Sequence, residues 1–363
     1  VIAPVFSGHE EFDAGLPFPV NRIRSSTDAM VVRGIPTLWR RARAGRFDIS
    51  LHAQWSTGPG ALMARRFGWP KRVFVAAHGR ELLLSPLAGF APAQKAYDAL
   101  RRRVLRGADG VFTNSAYTAG LAEGLGVDRD RVEVIGSGVD AARFDVPDAE
   151  ARARRFRERH GLGRRPFFVT VTRLHAYKGV DTAIAALPAL RGKVPDAAYV
   201  VVGDGPDLPR LRELAASLGL SDHVRFLGEV SGDEVIDALH ACDALAMLSR
   251  LVPPDVEGFG LVFVEAGACG RPVVGSRSGG IPEVIVDGET GLLVPPGDAA
   301  ATAEVLARLL GNPETARRLG EAGRHRARTV LTWDRTARAV FEAMQTSLDR
   351  GAATADTRRA GEP

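Results

Sequence analysis

Cysteine is scarce in this chain, with two residues, Cys242 and Cys269, among 363. Both sit among small or apolar neighbours (HACDAL and GACGRP), which favours buried thiols in a reducing, cytoplasmic compartment over a disulfide framework. Long apolar runs are missing too. Stretches such as 73–77 and 199–202 are short, whereas a helix that spans a bilayer needs about 20 apolar residues. No zinc-ligand spacing, no RNA-binding signature and no basic stretch interleaved with aromatics occurs, so nucleic acid is not an expected partner. The opening Val1-Ile2-Ala3-Pro4 reads as the end of a strand, with no initiator Met and no signal-peptide pattern. A missing N-terminal strand is the expectation there.

What the chain does have is length and an uneven charge. At 363 residues and 45% hydrophobic content it can bury two cores, at about 100–200 residues per domain. The net charge of +5 is concentrated early: residues 1–160 hold 25 Lys+Arg against 17 Asp+Glu, and residues 161–363 hold 23 against 26. Clusters such as Arg40-Arg41-x-Arg43, Arg65-Arg66 and Arg101-Arg102-Arg103-x-x-Arg106 have the character of a surface that meets anionic headgroups. Peripheral contact with the inner face of the cytoplasmic membrane is one expectation from them; solvated helix faces are the other.

Short apolar strand patterns alternate with longer helical ones, the mark of parallel βα units. Strands are expected near 48–52, 73–77, 110–114 and 132–135, then near 167–172, 198–202, 224–227, 244–248, 272–275 and 291–294. A charged helix at 148–160, AEARARRFRERHG, reads as the link between domains. The expected fold class is therefore α/β, with two Rossmann-like domains: residues 1–147, incomplete at the start, and residues 148–331. A C-terminal helix over 332–350 crosses back to the first domain, and 351–363 lack apolar anchors and are expected to be disordered. In open α/β sheets, ligands bind beyond the carboxyl ends of the strands.

The most informative stretch is Glu257-Gly258-Phe259-Gly260-Leu261, with Glu265 one to two turns further on and Gly279-Gly280-Ile-Pro-Glu283 beyond it. Gly258 and Gly260 let backbone amides approach a ligand closely, and a helix that starts near Leu261 aims its free N-terminal amides at an anion such as a phosphate. Glu257 suits hydrogen bonds from sugar hydroxyls, and Glu265 suits a vicinal diol such as that of ribose. Two glutamates eight apart occur often by chance; the flanking glycines give this pair its meaning.

This stretch resembles the Glu-x7-Glu hallmark of the retaining family 4 glycosyltransferases, which have the GT-B fold, two such domains facing across a cleft. The resemblance extends to Arg173-Leu-His-Ala-Tyr-Lys178-Gly179, to Gly203-Asp-Gly205-Pro206, to His78-Gly-Arg80-Glu81, and to Gly138-Val-Asp140 with Arg143-Phe144. Together these cover most of residues 48–340. Thr172 stands where the family usually has Gly, Gly136-Ser137 where Pro-Asn is common, and the family's initial glycine-rich loop has no counterpart.

The resemblance implies catalytic roles for Arg173 and Lys178 on the departing diphosphate, for Glu257 on the transferred sugar and for His78 on sugar or acceptor. It implies donor binding by Gly258, Phe259, Gly260, Leu261, Glu265, Gly203 and Gly205. Weaker acceptor contacts fall to Arg80, Glu81, His52 and Asn114. The implied activity is retaining transfer of a hexose from a nucleotide-diphosphate sugar to a glycan or lipid-linked hydroxyl. GDP-mannose stands slightly ahead of UDP-glucose, because the segments look closest to bacterial phosphatidylinositol mannosyltransferases. No cofactor and no metal is expected, since cationic side chains serve the diphosphate and no Asp-x-Asp segment stands where a bridging metal requires it.

A dehydrogenase is disfavoured because Leu208 occupies the position of the third glycine after Gly203-x-Gly205 and no acidic residue is placed about 20 residues on at the end of the next strand, read over 224–227. An epimerase of the same fold draws no support from the Glu-x7-Glu context. The alternative from a different class is a sugar-nucleotide-binding protein without transferase activity.

Overall fold

The computed structural model describes residues 1–5, 9–24, 36–40, 47–84 and 91–360. Arg41 and Arg43 of the first basic cluster lie outside them. The chain divides into two compact units, 1–135 with 338–363, and 136–337.

The first unit opens with a two-stranded parallel sheet, β1 (Ile2–Pro4) beside β2 (Asn21–Ile23). Its main sheet is parallel and runs in sequence order through β3 (Ile49–His52), β4 (Arg72–Ala77), β5 (Gly110–Thr113) and β6 (Val132–Val134). Trp55, Val75, Leu82, Val104, Leu105 and Val111 form its buried core. The helix Ala91–Gly107 contributes Val104 and Leu105 to that core and turns Arg102, Arg103 and Arg106 to solvent. From the helix Trp333–Ala360, the carbonyl of Ser347 accepts a hydrogen bond from Arg72 Nε at 3.1 Å. That helix continues to Ala360, through ten residues expected to be disordered. The segment Ala352-Ala353-Thr354-Ala355 and the arginines beyond it carry enough helix propensity to extend an existing helix without apolar anchors. Residues 361–363 lie outside the described residues.

The second unit holds a six-stranded parallel sheet made of β7 (Phe167–Val171), β8 (Ala198–Val202), β9 (Val224–Gly228), β10 (Ala244–Met247), β11 (Val273–Ser276) and β12 (Gly291–Val294). Its spatial order is β12-β11-β10-β7-β8-β9. Counted from the first strand, this is the doubly wound 3-2-1-4-5-6 order, which reverses direction between β7 and β10. Helices cover both faces, so β8, β10 and β11 are buried throughout, whereas the edge strand β9 is mostly half-buried. Phe167, Val169 and Val200 face Phe156, Leu239 and Phe263, whereas Phe168, Tyr199 and Val201 face Ile184, Leu187 and Leu211.

The charged helix Ala149–Arg159 is part of this second unit and not a linker. Phe156 is buried, Arg157 reaches the Asp243 carboxylate at 3.1 Å, and Arg152 pairs with Asp237. These contacts hold the helix to the neighbouring helix Gly232–Ala241 and to the sheet, and the division falls earlier, at Ile135 and Gly136. Both cysteines are buried and unpaired, and burial pushes the Cys242 thiol up to about 12. Among the described residues no helix is long and apolar enough to cross a membrane.

Candidate active site

The reversal point between β7 and β10 is where a doubly wound sheet opens a crevice at its carboxyl edge. The loop after β7 carries Arg173 and Lys178, and the loop after β10 carries Glu257. Their side chains meet: Lys178 Nζ lies 2.6 Å from Glu257 Oε2, each side chain only 14% exposed. Burial works against the ammonium charge, but the Glu257 carboxylate and the Tyr177 side chain outweigh it, so the Lys178 pKa is raised and the group stays charged. The Tyr177 ring lies under that ammonium, 4.9 Å from its centroid.

Backbone packing sets this geometry. Gly179 sits at φ +72, and a Cβ there would collide with the carbonyl of Leu248 at the end of β10. Close approach of the two loops at the crevice thus requires glycine. Gly279, at φ +56, presses likewise on the Glu257 backbone, and Gly280 N–H donates to Glu257 O at 2.9 Å. Arg173 is exposed, and its guanidinium has no hydrogen-bond or ion-pair partner among the described residues. A free cation on the same loop as a lysine already held by a carboxylate leaves that loop one positive charge in excess, a charge that suits an anion.

The helix Leu261–Ala268 begins at this same edge, directly after Gly260. Amides in the first turn of a helix lack intrahelical acceptors and present partial positive charge. Glu265 is partly buried on that helix. Burial pushes its carboxyl upward, Arg143 pulls the other way, and the net shift is up. A hydroxyl pair placed there would restore the hydration that Glu265 has lost.

Three residues expected to bind the donor have other roles. The Phe259 ring is 6% exposed and belongs to the core, leaving only its backbone for a ligand. The Gly203 amide donates to Gly228 O at 2.8 Å and the Gly205 amide to Asp204 Oδ1 at 2.7 Å, so neither is open to a phosphate. Their function is contact: a Cβ on Gly203 would collide with Thr172 O, and one on Gly205 would crowd Leu174. This turn grips the Arg173 loop from its β8 side, where Leu174 N–H donates to Asp204 O at 2.8 Å.

In the first unit, His78, Glu81 and Asn114 meet at the carboxyl ends of β4 and β5. His78 Nε2 donates to Ala53 O at 3.1 Å, and its backbone N–H donates to Glu81 Oε1 at 2.5 Å. Asn114 Nδ2 reaches His78 O at 3.4 Å. Glu81 and Asn114 therefore hold the His78 backbone, and His78 Nδ1 has no partner among the described residues. Arg80 is exposed in the short helix Arg80–Leu83.

His52 is not an acceptor contact. Buried at 8% exposure, it takes a hydrogen bond from Ser50 Oγ at Nε2 (2.7 Å) and faces Thr57 Oγ1 with Nδ1 (3.0 Å). The Thr57 hydroxyl gives its own proton to Gln54 O, so Nδ1 carries the imidazole hydrogen. Burial depresses the pKa of His52 to about 4.

Residues 133–326 match the family model described as glycosyl transferases group 1, and residues 6–138 match a glycosyl transferase 4-like domain. The chain belongs to the group 1 glycosyltransferases. This glycosyltransferase is 39% identical over 342 residues to a GDP-mannose-dependent alpha-(1-6)-phosphatidylinositol monomannoside mannosyltransferase of Mycolicibacterium smegmatis, with 92% of this chain and 86% of that protein aligned. It is 38% identical over 317 residues to a D-inositol 3-phosphate glycosyltransferase of Salinispora arenicola, covering 82% of this chain and 68% of that one. Among solved structures, Anabaena Alr3699/HepE in complex with UDP aligns with a TM-score of 0.77 over 95% of this chain and 92% of that chain, at 19% identity. That likeness is one of fold, and it places the glycosyltransferase in the α/β GT-B class.

Arg250, Asp181 and Tyr177 surround the Lys178 turn and were not singled out from the sequence. A lone Arg just past an apolar strand has no spacing signal; only the folded chain shows which carbonyls it meets.

Proposed function

We propose that this glycosyltransferase moves a mannosyl group from GDP-mannose to a hydroxyl of a phosphatidylinositol-type glycolipid, with retention at the anomeric carbon and no metal ion. The observation that carries the proposal is the half-buried Lys178–Glu257 pair at the β7/β10 reversal, with unpaired Arg173 on the same loop as Lys178. Relatives aligned over most of the chain are named for GDP-mannose and for phosphatidylinositol monomannoside.

The chemistry follows from where charge develops. The bond between the anomeric carbon and the diphosphate oxygen breaks, and its electron pair stays on the diphosphate. Arg173, Lys178 and the first amides of the helix Leu261–Ala268 stabilise that growing negative charge; one such fixed donor is typically worth about 10²–10³ in kcat. The acceptor hydroxyl attacks the same face of the sugar, and its proton passes to the departing phosphate oxygen. Glu257 takes hydrogen bonds from the sugar hydroxyls and Glu265 from the ribose, while His78 Nδ1 accepts from a hydroxyl of sugar or acceptor. The exposed Arg102, Arg103 and Arg106 support contact with anionic headgroups, at about 1 kcal/mol per cation near a charged bilayer.

The test incubates the purified chain, with and without EDTA, with GDP-mannose or UDP-glucose. Vesicles bearing phosphatidylinositol monomannoside or free D-inositol 3-phosphate serve as acceptor. One added hexose on the lipid from GDP-mannose, with the donor's anomeric configuration kept and no loss of rate in EDTA, is the expected result. Transfer only to the soluble inositol phosphate, transfer only from UDP-glucose, or donor binding without any transfer overturns it.

A further inference from the structure

We propose that Arg250 is a positioning residue for the donor site: it clamps the turn that carries Lys178 and so aims the ammonium group at the diphosphate. The proposal rests on Lys178 being a diphosphate ligand. Arg250 lies three residues beyond β10, on the other side of the sheet reversal from the turn it holds. Its backbone N–H donates to Tyr177 O at 2.6 Å, and its Nη2 donates to Ala176 O at 2.5 Å and to Asp181 Oδ2 at 3.0 Å. Nη1 reaches Thr182 Oγ1 at 3.3 Å.

These contacts bracket Lys178 on both sides. Ala176 and Tyr177 lie in the single turn of 3₁₀ helix Ala176–Lys178, and Asp181 and Thr182 lie in the first turn of the helix Val180–Lys193. A 3₁₀ turn three residues long has little stiffness of its own, so its orientation depends on what holds its carbonyls. The guanidinium has the geometry for several acceptors at once, which an ammonium lacks. Asp181 in turn accepts from Arg210 at 3.3 Å, and Arg210 pairs with Asp207 at 2.6 Å. The loops after β7, β8 and β10 are thereby joined in one charged network around the Lys178 turn. Misplacement of a binding group by about 1 Å can cost up to about 10² in rate.

The test is a double-mutant cycle read by calorimetric titration with GDP. Four proteins are compared: the native chain, Arg250→Ala, Lys178→Ala and the double variant. Because Arg250 acts through Lys178, Arg250→Ala should weaken GDP binding about tenfold in the native background and less than about twofold in the Lys178→Ala background. Asp181→Asn should show a smaller loss with the same dependence on Lys178. If Arg250→Ala does not fold, Arg250→Lys is read in the same cycle, since a single ammonium nitrogen on a flexible stem does not reproduce the rigid two-nitrogen fork that meets Ala176, Asp181 and Thr182. An Arg250 effect of equal size in both backgrounds, or no effect in the native one, overturns the clamp alone. Unchanged GDP affinity in Lys178→Ala overturns the diphosphate reading and the clamp with it.

Discussion

The Lys178 ammonium and the Glu257 carboxylate lie 2.6 Å apart at the point where the sheet of the second unit reverses direction. Each charge of this pair neutralises the other. Under the proposed function, a bound diphosphate would give Lys178 a second anion and free Glu257 to turn its lone pairs to the sugar. Glu257→Gln should therefore split two quantities that usually move together: kcat for mannosyl transfer falls about 100-fold, while GDP binds as well as before or more tightly, because Lys178 no longer shares its charge. Steady-state rates and GDP titration on the same preparation check this. A parallel loss of kcat and GDP affinity contradicts the assignment of Glu257 to the sugar.

Arg173 has no intramolecular partner among the described residues and is exposed. Surface substitutions of that kind change stability by no more than about 0.5 kcal/mol. Arg173→Ala is expected to melt with the native chain and to lose about tenfold or more in GDP affinity, since hydrogen bonds to charged groups are worth about 1.5–3 kcal/mol. Thermal unfolding in parallel with titration separates this from a folding defect.

Gly279→Ala tests whether the Glu257 loop depends on close backbone approach. A Cβ there would collide with Glu257 O, at a φ of +56. The left-handed conformation alone costs about 1–2 kcal/mol for a non-glycine residue. Gly288→Ala is the control, because Gly288 has φ +78 with open space around it. Both variants should lose the stability that the left-handed backbone costs, Gly279→Ala should lose more because of the collision, and only Gly279→Ala should also lose kcat, by about tenfold or more.

His52 carries a pH prediction. Its folded pKa of about 4 lies below the ordinary histidine value of 6.5 because burial penalises the charged imidazolium. Above pH 6.5 the imidazole is neutral in both folded and unfolded chains, and its contribution to stability is fully present. As pH falls from 6.5 toward 4 the unfolded chain binds the proton first, and stability on the order of 2–3 kcal/mol is lost. Denaturant unfolding between pH 4 and 7 should show this slope in the native chain and a shallower one in His52→Gln.

Much of the fold was legible because parallel strands buried on both faces read as unbroken apolar runs. The ten strands of the two larger sheets start or end within about two residues of where the sequence places them. β2 escaped notice because Asn21-Arg22-Ile23 is three residues long, with no periodicity to detect. Lys178 and Glu257 were singled out through the resemblance of their segments to the family 4 pattern, with the glycines after Glu257 as the one local signal. What stayed hidden depends on facing and on distant partners. Phe259, between two glycines, turns inward to the core, and the amides of Gly203 and Gly205 are taken up by their own neighbourhood. His52 ends a strand as a binding residue would, yet Ser50 and Thr57 occupy both ring nitrogens.

The central claim, that the carboxyl edge between β7 and β10 holds the donor's nucleotide, is tested most directly by titrating GDP into the native chain, Arg173→Ala and Glu265→Ala, with UDP as the comparison ligand. Tighter binding of GDP than UDP, weakened about tenfold or more in both variants, is the predicted result. GDP affinity unchanged in both variants would contradict it.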